Sequence, residues 1–156
     1  MEEPYRFESC GLPNVFLVGI RYYRCGECGQ DIADIPAVKQ LMNLIGRDLI
    51  EKDSALSGIE IKFLRKRLGQ RATDFAKQIA LEPETLSRIE NGHLPASERT
   101  DALIRFYYTL SSKDRVLLGQ LQADLDERMM SWRRIILPPK KIVTSIKGKE
   151  WTLVAA

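Results

Sequence analysis

The sequence predicts a mainly α-helical fold, a bundle of five helices with a small β segment at each end of the chain. Apolar residues recur at three- and four-residue steps over most of residues 36–134, which is the period of amphipathic helices. The segment NVFLVGIRYYRC and the pair KIVTSI and EWTLVAA are instead rich in β-branched and aromatic residues, which favour strands. Capping residues and glycine-containing turns separate the helical segments.

Length and composition limit the possible classes of protein. The chain has 156 residues, which suits one domain, or one small domain with a satellite. Its net charge of +3 and pI of about 8.8 permit a nucleic-acid partner without requiring one. No apolar run reaches the ~18–20 residues of a membrane span and no signal peptide opens the chain, so we expect a cytoplasmic protein without a membrane partner. No constellation typical of catalysis is present, so we expect no enzymatic activity.

The N-terminal strand-like segment predicts a β-hairpin that bends at Gly19. Cysteines lie on both sides of this segment: Cys10 precedes it, and the run CGECG ends it at residues 25–29. A spacing of two residues between cysteines puts two thiolates on one tight turn, as in structural zinc sites, which use four ligands. The candidate zinc ligands are Cys10, Cys25 and Cys28, with Glu8, Asp31 or water as the fourth. The alternative is three reduced thiols that bind no metal.

A first amphipathic helix is predicted for IPAVKQLMNLIGRDLIEKD, with Pro36 near its start. Its apolar stripe consists of Val38, Leu41, Met42, Ile45 and Leu49. The segment SALSG breaks the pattern and serves as a linker. Ser57 and Glu60 follow as a capping box, in which a hydroxyl and a carboxylate satisfy free N–H groups at a helix start.

Four helices are predicted after the linker. The first ends at Gly69 and should bury Ile61, Leu64 and Leu68. A short helix over residues 72–79 and another that begins at Pro83 are separated by a turn of three to four residues, and Asn91-Gly92 closes the latter. The fourth covers residues 97–110. The side chains expected to face the common core are Phe75, Ala76, Ile79, Leu86, Ile89, Leu103, Phe106 and Tyr107.

The C-terminal part is predicted to contain a long helix and a basic β-hairpin. The helix covers residues 112–134. Its apolar stripe consists of Leu117, Leu121, Leu125, Met129 and Trp132. This stripe either packs onto the bundle or forms a dimer seam, and the sequence leaves both open. Pro138-Pro139 ends the helix, and the two strand-like segments beyond it flank Lys147-Gly148-Lys149, a hairpin signal.

The two short helices have the length and the tight turn of a DNA-reading helix-turn-helix. The second of them would enter the major groove with one face formed by Glu84, Thr85, Ser87, Arg88 and Asn91. Arg88 can pair bidentately with guanine, and Glu84 can accept a hydrogen bond from cytosine. The candidate phosphate contacts form a basic cluster of Lys62, Arg65, Lys66 and Arg71. Because Glu82 and Glu84 also oppose phosphates, we expect modest affinity per half-site; a solvated polar helix is the alternative.

Four segments together resemble a known family: CGLPNVFLVGIRYYRCGECG, IPAVKQL, LSGIEIKFLRKRLG and DFAKQIALEPETLSRIENG. They are similar to bacterial regulators of the YgiT/MqsA type, which fuse a zinc-finger segment to a Cro/repressor-type (XRE family) helix-turn-helix. The resemblance runs from about Cys10 to Leu94. It implies a dimeric transcriptional regulator that binds a palindromic operator and, in some members, an antitoxin that represses its own operon.

Carried over by position, the resemblance implies a recognition helix that uses Glu84, Thr85, Ser87 and Arg88 and metal knuckles that use Cys10, Cys25 and Cys28. The chain departs from the family at four positions. Phe7 stands where the first metal cysteine is expected, and Ala72 where a polar DNA-contacting residue, usually Gln, is common. Arg71 replaces the usual Ser or Thr cap, and Ala80 lies in the turn where glycine is common.

The predicted architecture is a five-helix-type helix-turn-helix bundle with a small N-terminal β-hairpin or zinc-ribbon-like segment and a C-terminal β-hairpin. Its segments are a zinc-finger-like part (1–33), a connecting helix (34–56), a DNA-binding helix-turn-helix domain (57–110) and a long helix with the basic hairpin (111–156). The predicted function is a sequence-specific transcriptional repressor that binds a double-stranded operator as a homodimer. The alternative is a type II antitoxin that binds a protein toxin, and a third interpretation makes the cysteines a metal or redox switch of DNA binding.

Overall fold

The computed structural model describes residues 4–114, 116–120, 142–147 and 150–154 of the chain. The fold is mainly helical, with a small strand segment near the N-terminus. The chain divides into two compact units, Met1–Ile45 with Lys140–Ala156, and Gly46–Pro139. Within the described ranges, no helix combines the length and the apolar character that a membrane span requires.

The first unit contains all the strands that the structure describes. They are β1 (Tyr5–Arg6), β2 (Val15–Val18), β3 (Arg21–Arg24), β4 (Asp31–Asp34), β5 (Ile142–Lys147) and β6 (Glu150–Val154). Four of them form one sheet in the order β1-β2-β5-β6, in which β2 and β5 are parallel and the other pairs are antiparallel. The remaining two, β3 and β4, form a separate antiparallel pair.

The predicted hairpin that bends at Gly19 is wrong. Gly19 does interrupt the strand-like segment, with a positive φ of 79°. However, β2 pairs with β1 and β5, whereas β3 pairs with β4. The physical reason is the burial pattern, since Val15 and Leu17 of β2 are fully buried while β3 is mostly exposed. The cysteine run at residues 25–29 therefore lies in the turn of a hairpin formed by β3 and β4.

The pairing of β2 with β5 was not predicted, because it joins segments more than a hundred residues apart in the chain. Val15 lies opposite Ile142 and Val18 opposite Ser145 in this parallel ladder. On the other side of β5, Lys147 lies opposite Glu150 of β6, while Gly148 and Lys149 lie outside the described residues. Most of the predicted long helix, including its stripe beyond Leu117 and the Pro138-Pro139 stop, also lies outside them.

Five helices are α1 (Val38–Glu51), α2 (Gly58–Arg67), α3 (Ala72–Gln78), α4 (Pro83–Glu90) and α5 (Glu98–Ser112). Residues 116–120 are also helical. The capping box before α2 is confirmed, since the Ser57 N–H donates to the Glu60 carboxylate at 2.6 Å. Gly69, with φ of 67°, ends that helical segment as its sequence predicts. These local signals act within one helical turn, so they do not depend on the rest of the fold.

The predicted core of α3 and α4 is confirmed, because all five expected side chains of Phe75, Ala76, Ile79, Leu86 and Ile89 are buried. The predicted inward face of α5 is wrong for Leu103 and Phe106, whereas Tyr107 is half-buried and its ring packs edge-on against Phe75. Leu103 and Phe106 are 36% and 44% exposed, whereas Ile104 and Tyr108 are buried. The buried face of α5 differs from the predicted one by about one residue position, because it includes a buried polar residue, Asp101, together with Ile104 and Tyr108. Hydrophobicity alone does not anticipate a buried carboxylate.

The burial of the Asp101 carboxylate is compensated by hydrogen bonds to both of its oxygens. One carboxylate oxygen accepts the Leu56 N–H at 2.6 Å and the other accepts the Arg105 guanidinium at 2.8 Å. Arg105 in turn donates to the carbonyls of Lys52 at 2.9 Å and Ser54 at 2.7 Å, and also to those of Leu49 and Ile50 at the end of α1. The pair therefore satisfies backbone groups that the helix end leaves without partners and fastens the α1–α2 linker to α5.

The start of α2 lies directly against the end of α4. A Cβ atom added at Gly58 would overlap the backbone carbonyl of Ile89. Backbone atoms cannot yield as a flexible side chain can, so this contact requires glycine. The glycine in the SGIEIKFLRK segment is thus a packing residue between α2 and α4.

We predict that Gly58→Ala lowers the free energy of unfolding by about 2 kcal/mol, because α2 and α4 must separate to admit the methyl group. The measurement is urea unfolding followed by circular dichroism. The matched control is Gly119→Ala in the helical residues 116–120, where an added Cβ meets nothing within 4 Å and alanine favours the helix. Equal midpoints for the two variants would contradict the close packing of α2 on α4.

Candidate functional site

The candidate site consists of α3, α4 and the turn between them. The turn spans residues 79–82 and is closed by a hydrogen bond from the Leu81 N–H to the Ala76 carbonyl at 2.9 Å. Ala80 adopts a left-handed conformation with φ of 51°, which explains why glycine suits this position better. Pro83 then starts α4, with its preset φ in the first turn.

The far end of α4 is also held in place. The Gly92 N–H donates to the Ile89 carbonyl at 3.0 Å and the His93 N–H donates to the Arg88 carbonyl at 2.9 Å. Gly92 has φ of 75°, as expected of a glycine that closes a helix. His93 itself is exposed in this turn. Because the C-terminal end of α4 is closed by these hydrogen bonds and Leu86 and Ile89 are buried, α4 has one defined outward face.

That outward face carries the residues which the sequence predicts for base contacts. Glu84, Ser87, Arg88 and Asn91 are exposed, and Thr85 is half-buried. Ser87 and Asn91 lie together, since the Asn91 amide donates to the Ser87 hydroxyl at 3.4 Å. Across the part of the chain that the structure describes, the Arg88 guanidinium has no ion-pair partner. Arg88 is therefore available to a ligand.

Arg65 is placed differently from the other predicted phosphate contacts. Its guanidinium donates to both oxygens of the Glu90 carboxylate, at 2.7 and 2.8 Å, and to the Gln70 carbonyl at 3.0 Å. The two charged side chains are only 11% and 6% exposed, and the Glu90 carboxylate raises the pKa of the Arg65 guanidinium. Contrary to the sequence-based expectation, the charge of Arg65 is used to hold α2 against α4.

The other predicted phosphate contacts remain accessible. Lys66 is exposed, Lys62 is half-exposed, and the Arg71 side chain is 89% exposed beside Asp74 at 3.5 Å. The sequence analysis missed Lys77, which is exposed on α3 together with Thr73, one turn before it. The sequence could have indicated this pair, because residues four apart lie on the same helix face, here opposite the buried Phe75 and Ala76.

Two acidic residues lie at the N-terminal end of α4. Glu82 and Glu84 are both exposed at the first turn, where carboxylates stabilise the positive end of the helix dipole. The other acid within α4, Glu90, is neutralised by Arg65. The net charge of the outward α4 face is therefore set by Glu82, Glu84 and Arg88, with additional cations supplied by α2 and α3.

The three cysteines do not form one metal site. No group of three or more histidine, cysteine, aspartate or glutamate side chains in the described ranges is arranged to hold an ion. Cys10 is half-buried, its thiol donates to the Phe7 carbonyl at 2.9 Å, and burial raises its pKa. Phe7, at the position of the missing metal cysteine, is a buried core residue. These residues do not fit the four-ligand zinc site expected from the family resemblance.

Cys25 and Cys28 do lie together, in the turn between β3 and β4. Backbone N–H groups of Cys28 and Glu27, and then the Cys28 thiol, hydrogen-bond to the Cys25 sulfur and hold the pKa of its thiol below the ordinary value. Cys28 is exposed and Cys25 is half-buried, and neither forms a disulfide. The turn thus contains two free thiols in mutual contact.

Comparisons with protein-family models, with curated proteins and with solved structures find no match to this chain.

We predict that Arg65→Ala lowers the free energy of unfolding by about 3 kcal/mol, because it leaves the buried Glu90 carboxylate without its partner. Lys66→Ala, one residue further on and exposed, is the matched control and should change stability by less than about 0.5 kcal/mol. Urea unfolding monitored by circular dichroism measures both. Arg65→Ala with the stability of the wild type would show that Arg65 is free for another role.

Proposed function

We propose that the chain is a sequence-specific, DNA-binding transcriptional regulator, in which α3 and α4 act as a helix-turn-helix and α4 enters the major groove. The proposed action is steric: the bound protein covers a promoter and catalyses no reaction. In such a motif the first short helix braces across the backbone while the second presents base-reading side chains. The lengths of α3 and α4 and their four-residue turn support this assignment.

The observation that carries the proposal is the environment of Arg88. It is a solvent-exposed arginine without an ion-pair partner among the described residues, on a short helix that is capped at its end and anchored by two buried side chains. An arginine held this way can form the bidentate contact with guanine that is the commonest specific contact in the major groove. Thr85, Ser87 and Asn91 supply further hydrogen-bonding groups beside it.

Affinity for phosphates is assigned to residues outside α4. The accessible cations near the motif in sequence are Lys62 and Lys66 on α2, Arg71 directly before α3, and Lys77 on α3. The exposed Glu82 and Glu84 oppose phosphates and lower binding to unrelated sequences. The balance predicts modest affinity per half-site, so the proposed regulator binds as a homodimer.

An exposed apolar stripe on α5 supports the proposed homodimer. Leu103, Phe106 and Leu110 recur at steps of three and four, so they lie on one helix face, and they are 36%, 44% and 48% exposed. We assign this stripe to contact with a second copy of the chain. In a two-fold dimer the same surface is used by both subunits, so the apolar stripe of one copy would pack against the apolar stripe of the other. To bind two successive half-sites, such a dimer must place its two recognition helices about 34 Å apart, one turn of DNA.

We predict that Phe106→Glu weakens self-association at least tenfold, or by about 1.4 kcal/mol, because it places a charge in the apolar seam. Sedimentation velocity across a concentration series measures the effect. The matched control is Val38→Glu on α1, because Val38 has the same 44% exposure and lies in the other unit. A wild-type chain that is monomeric throughout, or a Phe106→Glu variant that dimerises like the wild type, would contradict this assignment.

The function is tested by titrating DNA from upstream of the protein's own gene at two salt concentrations. The wild type should bind more weakly at the higher salt, because phosphate contacts release counterions. Arg88→Ala should lose about 1–3 kcal/mol on the specific site and almost nothing on scrambled duplex, because its contact is with bases. Fluorescence anisotropy with labelled duplexes measures both.

The control for this titration is Lys113→Gln, which also removes one positive charge. Lys113 is exposed, follows the last residue of α5 and lies outside the α3–α4 motif. It should leave the difference between the specific and the scrambled duplex unchanged. If Arg88→Ala affects both duplexes equally, Arg88 reads no base; if the wild type does not distinguish them, regulation of its own promoter is excluded.

The second candidate function is that of an antitoxin that binds a protein toxin through the first unit. It is favoured by Tyr23 and Ile32, which are directly opposite each other on β3 and β4 and are 68% and 67% exposed. Large apolar side chains exposed as a neighbouring pair are typical of protein-binding surfaces. The DNA titration distinguishes the two functions, because a chain that acts only on a toxin would bind neither duplex.

A further inference from the structure

The turn between β3 and β4 is a rigid support for its two cysteines. The Cys25 N–H donates to the Gln30 carbonyl and the Gly29 N–H donates to the Cys25 carbonyl, both at 2.9 Å. Directly below the turn, the Arg24 guanidinium donates to the Asp31 carboxylate at 2.8 Å and 3.2 Å. Backbone hydrogen bonds and this ion pair therefore hold the chain in place on both sides of the cysteines.

The turn is also open to small molecules. A Cβ atom added at Gly26 or at Gly29 would meet no atom beyond the adjacent residues within 4 Å, so other parts of the described chain do not crowd these two positions of the turn. Cys28 is exposed, and its thiol contacts the Cys25 sulfur through a hydrogen bond. Residues three apart in a tight turn have Cα atoms within about 7 Å, a separation that a disulfide can span.

Cys10 does not compete for this pair. Its thiol hydrogen-bonds to the Phe7 carbonyl, and it joins the other two cysteines in no group that could hold a metal within the described ranges. Cys25 and Cys28 are thus the two free thiols that share one turn, and the Cys28 thiol also lies 4.0 Å from the Gln30 side-chain oxygen. Two accessible thiols in contact are the requirement for an intramolecular disulfide.

We propose that Cys25 and Cys28 are a modification site, a dithiol that closes to an intramolecular disulfide by exchange with a small-molecule disulfide. The Cys25 thiolate attacks one sulfur of that disulfide, so a Cys25 mixed disulfide forms and one small thiolate leaves. The Cys28 thiolate then attacks the Cys25 sulfur, so the protein disulfide forms and the second small thiolate leaves. The protein loses two electrons and two protons, and the small disulfide is reduced to two thiols. The proposal does not depend on DNA binding.

The experiment equilibrates the full-length chain, after EDTA treatment, in buffers with defined ratios of reduced to oxidised glutathione. Free thiols are then blocked with N-ethylmaleimide, and the intact mass and peptide masses are recorded. The wild type should lose two reactive thiols together and become lighter by two hydrogens before blocking. Cys10→Ser, the matched control, should behave in the same way because Cys10 is outside the pair.

Cys25→Ser and Cys28→Ser should form no internal disulfide under the same conditions and should accumulate the glutathione adduct of the remaining cysteine. In urea, where the turn is lost, the wild-type disulfide should require a glutathione ratio at least about tenfold more oxidising, a shift of about 30 mV. The proposal is overturned if Cys25 and Cys28 stay reduced at every ratio, if the disulfide involves Cys10, or if folded and unfolded chains oxidise alike.

Discussion

The buried pair of Asp101 and Arg105 is the interaction on which the helical unit depends. The Asp101 side chain is fully buried, and a charge in that position is costly unless it is paired and hydrogen-bonded. Here the carboxylate accepts hydrogen bonds from Arg105 and from the Leu56 N–H, and Arg105 donates to two carbonyls near the end of α1 and two carbonyls of the linker. The linker enters α2 directly afterwards, so the same pair fixes where α2 starts relative to α5. The contacts of α2 with α4 follow from that placement.

Some charged residues of this unit form nearly buried ion pairs and others are exposed, and the residue type alone does not indicate which. Arg65 and Lys52 are neutralised by Glu90 and Glu60 in nearly buried pairs, at 2.7 Å in both cases. Lys66, Lys77 and Arg88 remain exposed. The first group holds helices together, and the second group is what a ligand would meet. Neutralising Glu90 also removes one of the two acids within α4, so the proposed DNA-reading surface is less acidic than the sequence of the helix indicates.

The helices from α2 to α4 were predicted well because their signals are local. A capping box, a proline in the first turn and a glycine after the last turn act within a few residues of where they stand. The inward face of α5 was mispredicted because a network from another part of the chain makes Asp101 a core residue. The bend at Gly19 was correctly placed, but the strands on either side have partners at residues 5–6, 31–34 and 142–147, which no local pattern specifies. The candidate α4 face was predicted residue by residue, since it follows from helical period alone, whereas the role of Arg65 depended on Glu90, twenty-five residues away.

By itself, the sequence determined the positions of the helices, the exposed polar face of α4 and the tight turn that brings Cys25 and Cys28 together, because each depends on hydrogen bonds and periods that span a few residues. Only the tertiary structure decided which strands pair, which face of α5 is buried, which arginine is committed to an ion pair and which cysteine stands apart. The physical reason is that burial and charge neutralisation are properties of contacts between distant segments. A carboxylate or an arginine acquires its role from the partner that the fold places beside it.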